Sequence, residues 1–152
     1  MKRLLLVFHS QSGRTAQLAQ AVAEGAASLR DEVTLRIRRA PEADIEDLLW
    51  AEGLLLGTPE NFGHLSGLMK DFLDRTYYPA EGKTIGLPWA LFVSAGNDGR
   101  GAVTALERIA LGYQWKKAAE PVIVNGEPDA AGLSRCSDLG QTLAAGLALG
   151  LF

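Results

Sequence analysis

The sequence predicts an α/β three-layer sandwich, with a five-stranded parallel sheet in the order 2-1-3-4-5 and helices on both faces. Two observations carry this. Strand-like and helix-like segments alternate five times along the chain, the pattern of a parallel sheet with helical crossovers. Three segments, Leu4–Phe8, Gly53–Gly57 and Pro88–Val93, are continuously apolar, as strands covered on both faces are. In contrast, Glu32–Arg38 alternates, with Val33, Leu35 and Ile37 on one side and Thr34, Arg36 and Arg38 on the other, which suits an edge. Such an order has its switch point between strands one and three, and ligands bind beyond the carboxyl ends of the strands there.

The first strand runs into Ser10-Gln11-Ser12-Gly13-Arg14-Thr15, a hydroxyl-rich turn with one glycine. A helix follows to about Leu29, with Leu18, Val22, Ala26 and Leu29 at helical spacing. A hydroxyl-rich turn at a helix N-terminus offers free N–H groups where the dipole favours an anion, so it reads as a phosphate loop. After the alternating strand, Pro41–Trp50 is a short acidic segment, read as a helix carrying Ile45, Leu48 and Leu49. The third strand, Gly53–Gly57, enters a turn-rich loop over 58–64. Ser66 caps the next helix, which runs to about Tyr78 with Leu65, Leu68, Met69, Phe72 and Leu73 inward.

Tyr77–Leu87 reads as a connector, with Pro79, Gly82 and Gly86. The fourth strand, Pro88–Val93, ends in Ser94-Ala95-Gly96-Asn97-Asp98-Gly99-Arg100-Gly101, a third glycine-rich loop. A helix follows to about Gly112, with Val103, Leu106, Ile109 and Ala110 inward. Pro121–Val124 is a short fifth strand with a proline suited to an edge. A C-terminal helix over about Ala131–Leu149 carries Leu133, Cys136, Leu143 and Leu147. The loops 10–15, 58–64 and 94–101 therefore converge at one sheet edge. Residues 1–152 read as one domain, without repeats or linkers.

Bulk composition narrows the function classes. The 152 residues are 47% hydrophobic and 22% charged, which is globular, and the net charge of −3 suggests no nucleic-acid surface. One cysteine, Cys136, excludes an internal disulfide and a cysteine-based zinc site, and no metal site is expected. No secretory leader and no membrane span are read, so a cytoplasmic protein is expected. Several phosphate motifs fail. Gly82-Lys83-Thr84 has Tyr77 where a Walker loop needs its first glycine, and Thr142 stands where a cysteine phosphatase would need arginine. A receiver domain needs acids after strand one, where His9 and Ser10 stand. Neither G-x-G-x-x-G after strand one nor G-x-S-x-G is present.

Ser10–Thr15 resembles the flavodoxin phosphate loop, [ST]-x-[ST]-G-x-T. Gly57-Thr58-Pro59-Glu60-Asn61-Phe62-Gly63-His64-Leu65-Ser66, continuing through Asp74, resembles the second flavin loop and following helix of the Trp-repressor-binding-protein type of NAD(P)H:quinone oxidoreductase. The resemblance extends over the whole chain. It implies a flavodoxin-like fold and non-covalent FMN. Ser10, Gln11, Ser12, Gly13, Arg14 and Thr15 would then hold the phosphate. Pro59, Glu60, Asn61, Phe62 and Gly63 would line the ring. Ser94, Ala95, Gly96, Asp98 and Gly99 would close over its polar edge. It further implies an oxidoreductase that takes electrons from NAD(P)H and passes them to a quinone or similar small acceptor, with no catalytic residue assigned. An FMN electron carrier serving a redox partner protein is the alternative, and a flavin-free binding module the third. Two departures stand out. Loop 94–101 has no aromatic residue to stack on the ring. The long insertion near the last strand that supports tetramers in the quinone-reductase type is absent, which leaves a homodimer open.

Individual residues carry plainer readings beside these. Phe62 suits packing onto the following helix as well as stacking on a flavin. His64 reads as a solvated loop histidine, with proton donation as the alternative. Asp98 reads as a turn former, Cys136 as a buried thiol, Lys70 with Asp74 as a surface pair and Trp89 as core. Tyr113 and Trp115 either shape a pocket or cover an edge.

Overall fold

The structure, a computed structural model, describes residues 1–152. The strands are β1 (Lys2–Phe8), β2 (Val33–Arg39), β3 (Gly53–Asn61), β4 (His64–Leu65), β5 (Pro88–Ala95), β6 (Lys116–Lys117) and β7 (Val122–Asn125). The helices are α1 (Arg14–Ala27), α2 (Ile45–Trp50), α3 (Gly67–Ala80), α4 (Arg100–Tyr113) and α5 (Ala130–Leu149). A single 3₁₀ turn spans Ala40–Glu42.

The continuous apolar runs split by parity between two cores, as strands covered on both faces must. Leu4, Leu6, Leu55 and Phe92 meet Leu18 and Val22 of α1 and Cys136 and Leu143 of α5. Leu5, Val7, Leu54, Leu56, Leu91 and Val93 meet Leu48 of α2, Met69 and Phe72 of α3 and Leu106 of α4. The sheet is thus the middle of three layers. Helix starts follow local chemistry: Asp44 closes a capping box with Asp47, and Asp129 accepts from the Gly132 amide at 2.7 Å.

The flavodoxin-like sheet holds, but the expected five strands are seven. The order along the main path is β2-β1-β3-β5-β6, with β7 also on β5 and β4 on β3. The fifth position is divided. β6 pairs with the start of β5 and β7 with its end, from Phe92 against Val122 to Ala95 against Asn125. Pro121 lies between the two pieces and has no N–H for the ladder, which accounts for the break. β4 is antiparallel, Glu60 against Leu65, so the sheet is not wholly parallel.

Other boundaries shift too. α3 continues to Ala80 through Pro79, shortening the expected connector. Leu68 and Leu49 are exposed rather than inward. Trp89, Tyr113 and Trp115 are all buried. Tyr113 and Trp115 stack with ring centroids 4.2 Å apart, and the Tyr113 hydroxyl donates to the Leu73 carbonyl, so these two rings pack within the core. No helix is long and apolar enough to cross a membrane.

Candidate functional site

The carboxyl ends of β1, β3 and β5 lie side by side. Phe8 pairs with Gly57, and Pro59 pairs with Ser94. The first turn, residues 9–13, leaves β1 and starts α1. Gly13 occupies the position before the helix with φ +99°, a conformation costly for a residue with a Cβ. The Ser10 hydroxyl accepts from the Ala16 amide at 3.1 Å, and Gln17 donates to the Gly13 carbonyl. The amides of residues 11 to 15 donate to no acceptor in the protein. The Thr15 hydroxyl is buried and also has no hydrogen-bond partner. Five free donors and an unpartnered hydroxyl at the start of a 14-residue helix form an anion cradle.

The second segment is not a loop over most of its length. Thr58–Asn61 continue β3, and Phe62 and Gly63 turn it back into β4. Both turn residues have positive φ, +51° and +73°, as a two-residue type I′ hairpin requires. Phe62 is fully exposed, at 108%, so its ring does not pack on the following helix. Asn61 donates to the Gln11 side-chain oxygen at 2.7 Å, tying the hairpin to the first turn.

Glu60 ties the hairpin to α4. Its carboxylate accepts from the Gly99 amide at 3.2 Å and the Gly101 amide at 3.1 Å, satisfying the N-terminus of α4. Gly101 packs directly on Gly63, whose carbonyl oxygen would lie 1.9 Å from an added Cβ. Ser94 and Ala95 are buried residues of β5 rather than loop. Gly96 and Asp98 are exposed, and Asp98 accepts from the Arg100 amide at 3.0 Å, as a turn former does. Arg14 pairs with Glu127 at 3.0 Å, joining the first turn to the segment after β7.

The links that join His9, Thr58 and Ser66, with Arg39 beside them, escape sequence reasoning. His9 Nδ1 lies 2.8 Å from Ser66 Oγ. Ser66 donates its amide to Thr58 Oγ1 at 3.0 Å, and the Thr58 hydroxyl donates to the Pro59 carbonyl at 2.9 Å. This chain joins β1, β3 and the cap of α3 beneath the cleft. Burial, aided by the Arg39 guanidinium, holds His9 below its ordinary value of 6.5. Arg39 itself lies 5.0 Å over the Phe8 ring. The available signals were thin: a histidine just before a phosphate-type turn, and a cap serine eight residues from a strand-end threonine. His64 is exposed, with Nδ1 only 3.4 Å from its neighbour's carbonyl.

The donor set fits a flavin mononucleotide phosphate: the amides of 11–15, the Ser10 and Ser12 hydroxyls, and the Thr15 hydroxyl. No three His, Cys, Asp or Glu side chains converge as a metal site would need.

The chain is similar to several known proteins. A flavodoxin of Aquifex aeolicus is 38% identical over 101 aligned residues, covering 66% of this chain and 54% of the relative. An NAD(P)H dehydrogenase (quinone) of Acidithiobacillus ferrooxidans is 35% identical over 127 aligned residues, covering 70% of this chain and 63% of the relative. The chain thus spans between half and two thirds of each of these relatives. Among solved structures, a flavodoxin from the domain Archaea superposes with a TM-score of 0.83 at 21% identity, over 95% of this chain and 98% of that one, a likeness of fold. Residues 3–123 match the family of NADPH-dependent FMN reductases, and the chain belongs to that family.

Proposed function

We propose that the chain is an FMN-dependent oxidoreductase that draws electrons from NAD(P)H and delivers them to a quinone or similar small acceptor. The observation that carries the cofactor assignment is the cluster of unpartnered donors at residues 11–15, closed from below by the orphaned Thr15 hydroxyl. Bound FMN supplies the hydride-accepting and electron-donating chemistry, while the protein supplies position and electrostatics. In this reading Ser10, Gln11, Ser12, Gly13, Arg14 and Thr15 surround the phosphate. Pro59, Asn61 and Gly63 wall the ring, and Gly96, Asp98 and Gly99 border its polar edge. Phe62, free at the hairpin tip, can fold over the ring. Glu60, Ser94 and Ala95 hold the walls in place rather than touch the cofactor. The electron donor is supported by the family, and the acceptor by the quinone dehydrogenase relative. The absence of an aromatic residue in 94–101 leaves room over the ring for a nicotinamide. We place the protein in the cytoplasm, as one domain over 1–152, and read a homodimer as its simplest assembly.

An FMN electron carrier is the second reading, favoured by the 38% identity to a flavodoxin. One experiment separates them. The purified protein is loaded with FMN, and its visible spectrum is followed anaerobically with NADPH, NADH and then a benzoquinone. Bleaching by the nucleotide and recovery with the quinone are expected. Bound flavin that stays oxidised with both nucleotides would leave the carrier. No flavin absorbance after loading would remove both.

A further inference from the structure

Next to the hairpin lies a second groove, of about 550 Å3, that the reading above does not use. It runs from Gly63 and His64 along α4, past Arg100, Thr104 and Arg108, with Lys70 of α3 opposite. Arg100, Thr104 and Arg108 follow at intervals of four residues and so form one stripe. Eight residues of helix separate the two guanidiniums by about 12 Å along the axis. Neither Arg100 nor Arg108 has a carboxylate within ion-pair range. The nearby acids are engaged: Glu107 with Lys117 at 3.2 Å, Glu60 with the α4 amides, and Asp74 with Lys70 at 2.8 Å. Two unpaired guanidiniums on one wall of an open groove suit an anionic ligand with two charged centres.

We propose that this groove holds the adenosine-phosphate half of the nicotinamide dinucleotide, with Arg100 at the pyrophosphate and Arg108 at the ribose 2′-phosphate that distinguishes NADPH from NADH. The proposal rests on the oxidoreductase reading, because it needs the nicotinamide end to reach the flavin cleft. The contact of Gly101 with Gly63 makes the groove and the cleft share a wall, so a ligand that passes the hairpin reaches both. Arg100 lies at the cleft end and Arg108 at the far end, the order that a dinucleotide with its nicotinamide in the cleft requires. Arginine's fork suits the tetrahedral dianion of a 2′-phosphate, which NADH lacks.

The test uses FMN-loaded protein and two fragments that carry no nicotinamide, adenosine 2′,5′-bisphosphate and 5′-AMP, titrated by calorimetry. The wild type is expected to bind the bisphosphate more tightly than 5′-AMP. Arg108→Ala is expected to weaken the bisphosphate about tenfold or more, with Arg108→Lys intermediate. In turnover, the ratio of kcat/KM for NADPH over NADH should fall by a similar factor in Arg108→Ala. Equal binding of the two fragments by the wild type, or an unchanged ratio in Arg108→Ala, overturns the proposal and leaves the oxidoreductase standing. If neither nucleotide reduces the flavin, the oxidoreductase reading falls, and the proposed dinucleotide site falls with it. Fragment binding that depends on Arg108 would then show a phosphate site of another purpose.

Discussion

Thr15 separates folding from binding in a single side chain. Its hydroxyl is buried without a partner, so the folded protein carries the desolvation of a polar group that makes no hydrogen bond. Replacing it with valine keeps the shape and removes that penalty. Thr15→Val is therefore expected to leave the FMN-free protein as stable as the wild type or up to about 1 kcal/mol more stable, while FMN affinity falls about tenfold. Urea midpoints and flavin fluorescence titration check the two halves. A loss of stability with unchanged affinity would place the phosphate elsewhere. Ser12→Asp is the charge counterpart: a carboxylate on the exposed side of the same turn repels a phosphate, and FMN binding should be lost. His9 adds a pH signature. Its folded value lies below 6.5, so on acidification the unfolded chain takes up the proton first. The stability that depends on a neutral His9 is fully present above 6.5 and declines as pH falls from there towards the folded value. His9→Asn should flatten the slope of stability against pH in that window, read from urea midpoints at about pH 7.5 and about pH 5.5. Cys136, fully buried with its thiol pushed up to about 11, should resist alkylation at neutral pH until the chain unfolds.

At the scale of elements, the β3–β4 hairpin and the start of α4 act as one unit. Glu60 supplies acceptors for the Gly99 and Gly101 amides, which Gly99, having no side chain, cannot cap, while Asp98 takes the Arg100 amide. Glu60→Ala leaves two amides unsatisfied and is expected to cost about 1–2 kcal/mol. Gly101→Ala should cost more, because the added methyl meets backbone rather than a flexible side chain. Thermal or chemical denaturation of the two variants ranks them. These contacts also mark where reading the sequence stops. β1 and its turn were legible because burial on both faces writes a continuous apolar run, and a free helix start writes small hydroxyl residues. Thr58–Asn61 looked like loop because Thr, Pro and Asn are turn residues by composition, yet pairing with β4 makes them strand. The hairpin has Phe-Gly where Asn-Gly would have announced it. The role of Glu60 at the start of α4 was not legible because its amide partners lie 39 and 41 residues away, a distance no local pattern encodes. Ser94 and Ala95 became strand for a similar reason, since β7 pairs alongside them.

For the whole molecule, the sheet order places three chain segments at one edge, and FMN, bound there, should stabilise all of them together. A ligand that binds only the folded state adds about 2.7 kcal/mol at one hundred times its Kd. The thermal midpoint should therefore rise on addition of FMN in the wild type and rise little in Ser12→Asp. The bridges between segments have a kinetic corollary. Gln11 holds Asn61, Glu60 holds the start of α4, and His9 holds Ser66, each through the protein's own hydrogen bonds. Walls tied to one another by bonds within the protein need little ordering on association. Cofactor uptake should then proceed as a single exponential whose rate rises linearly with FMN concentration. Its heat-capacity change should match the area of the flavin alone, without the larger signature of a segment that folds around its ligand.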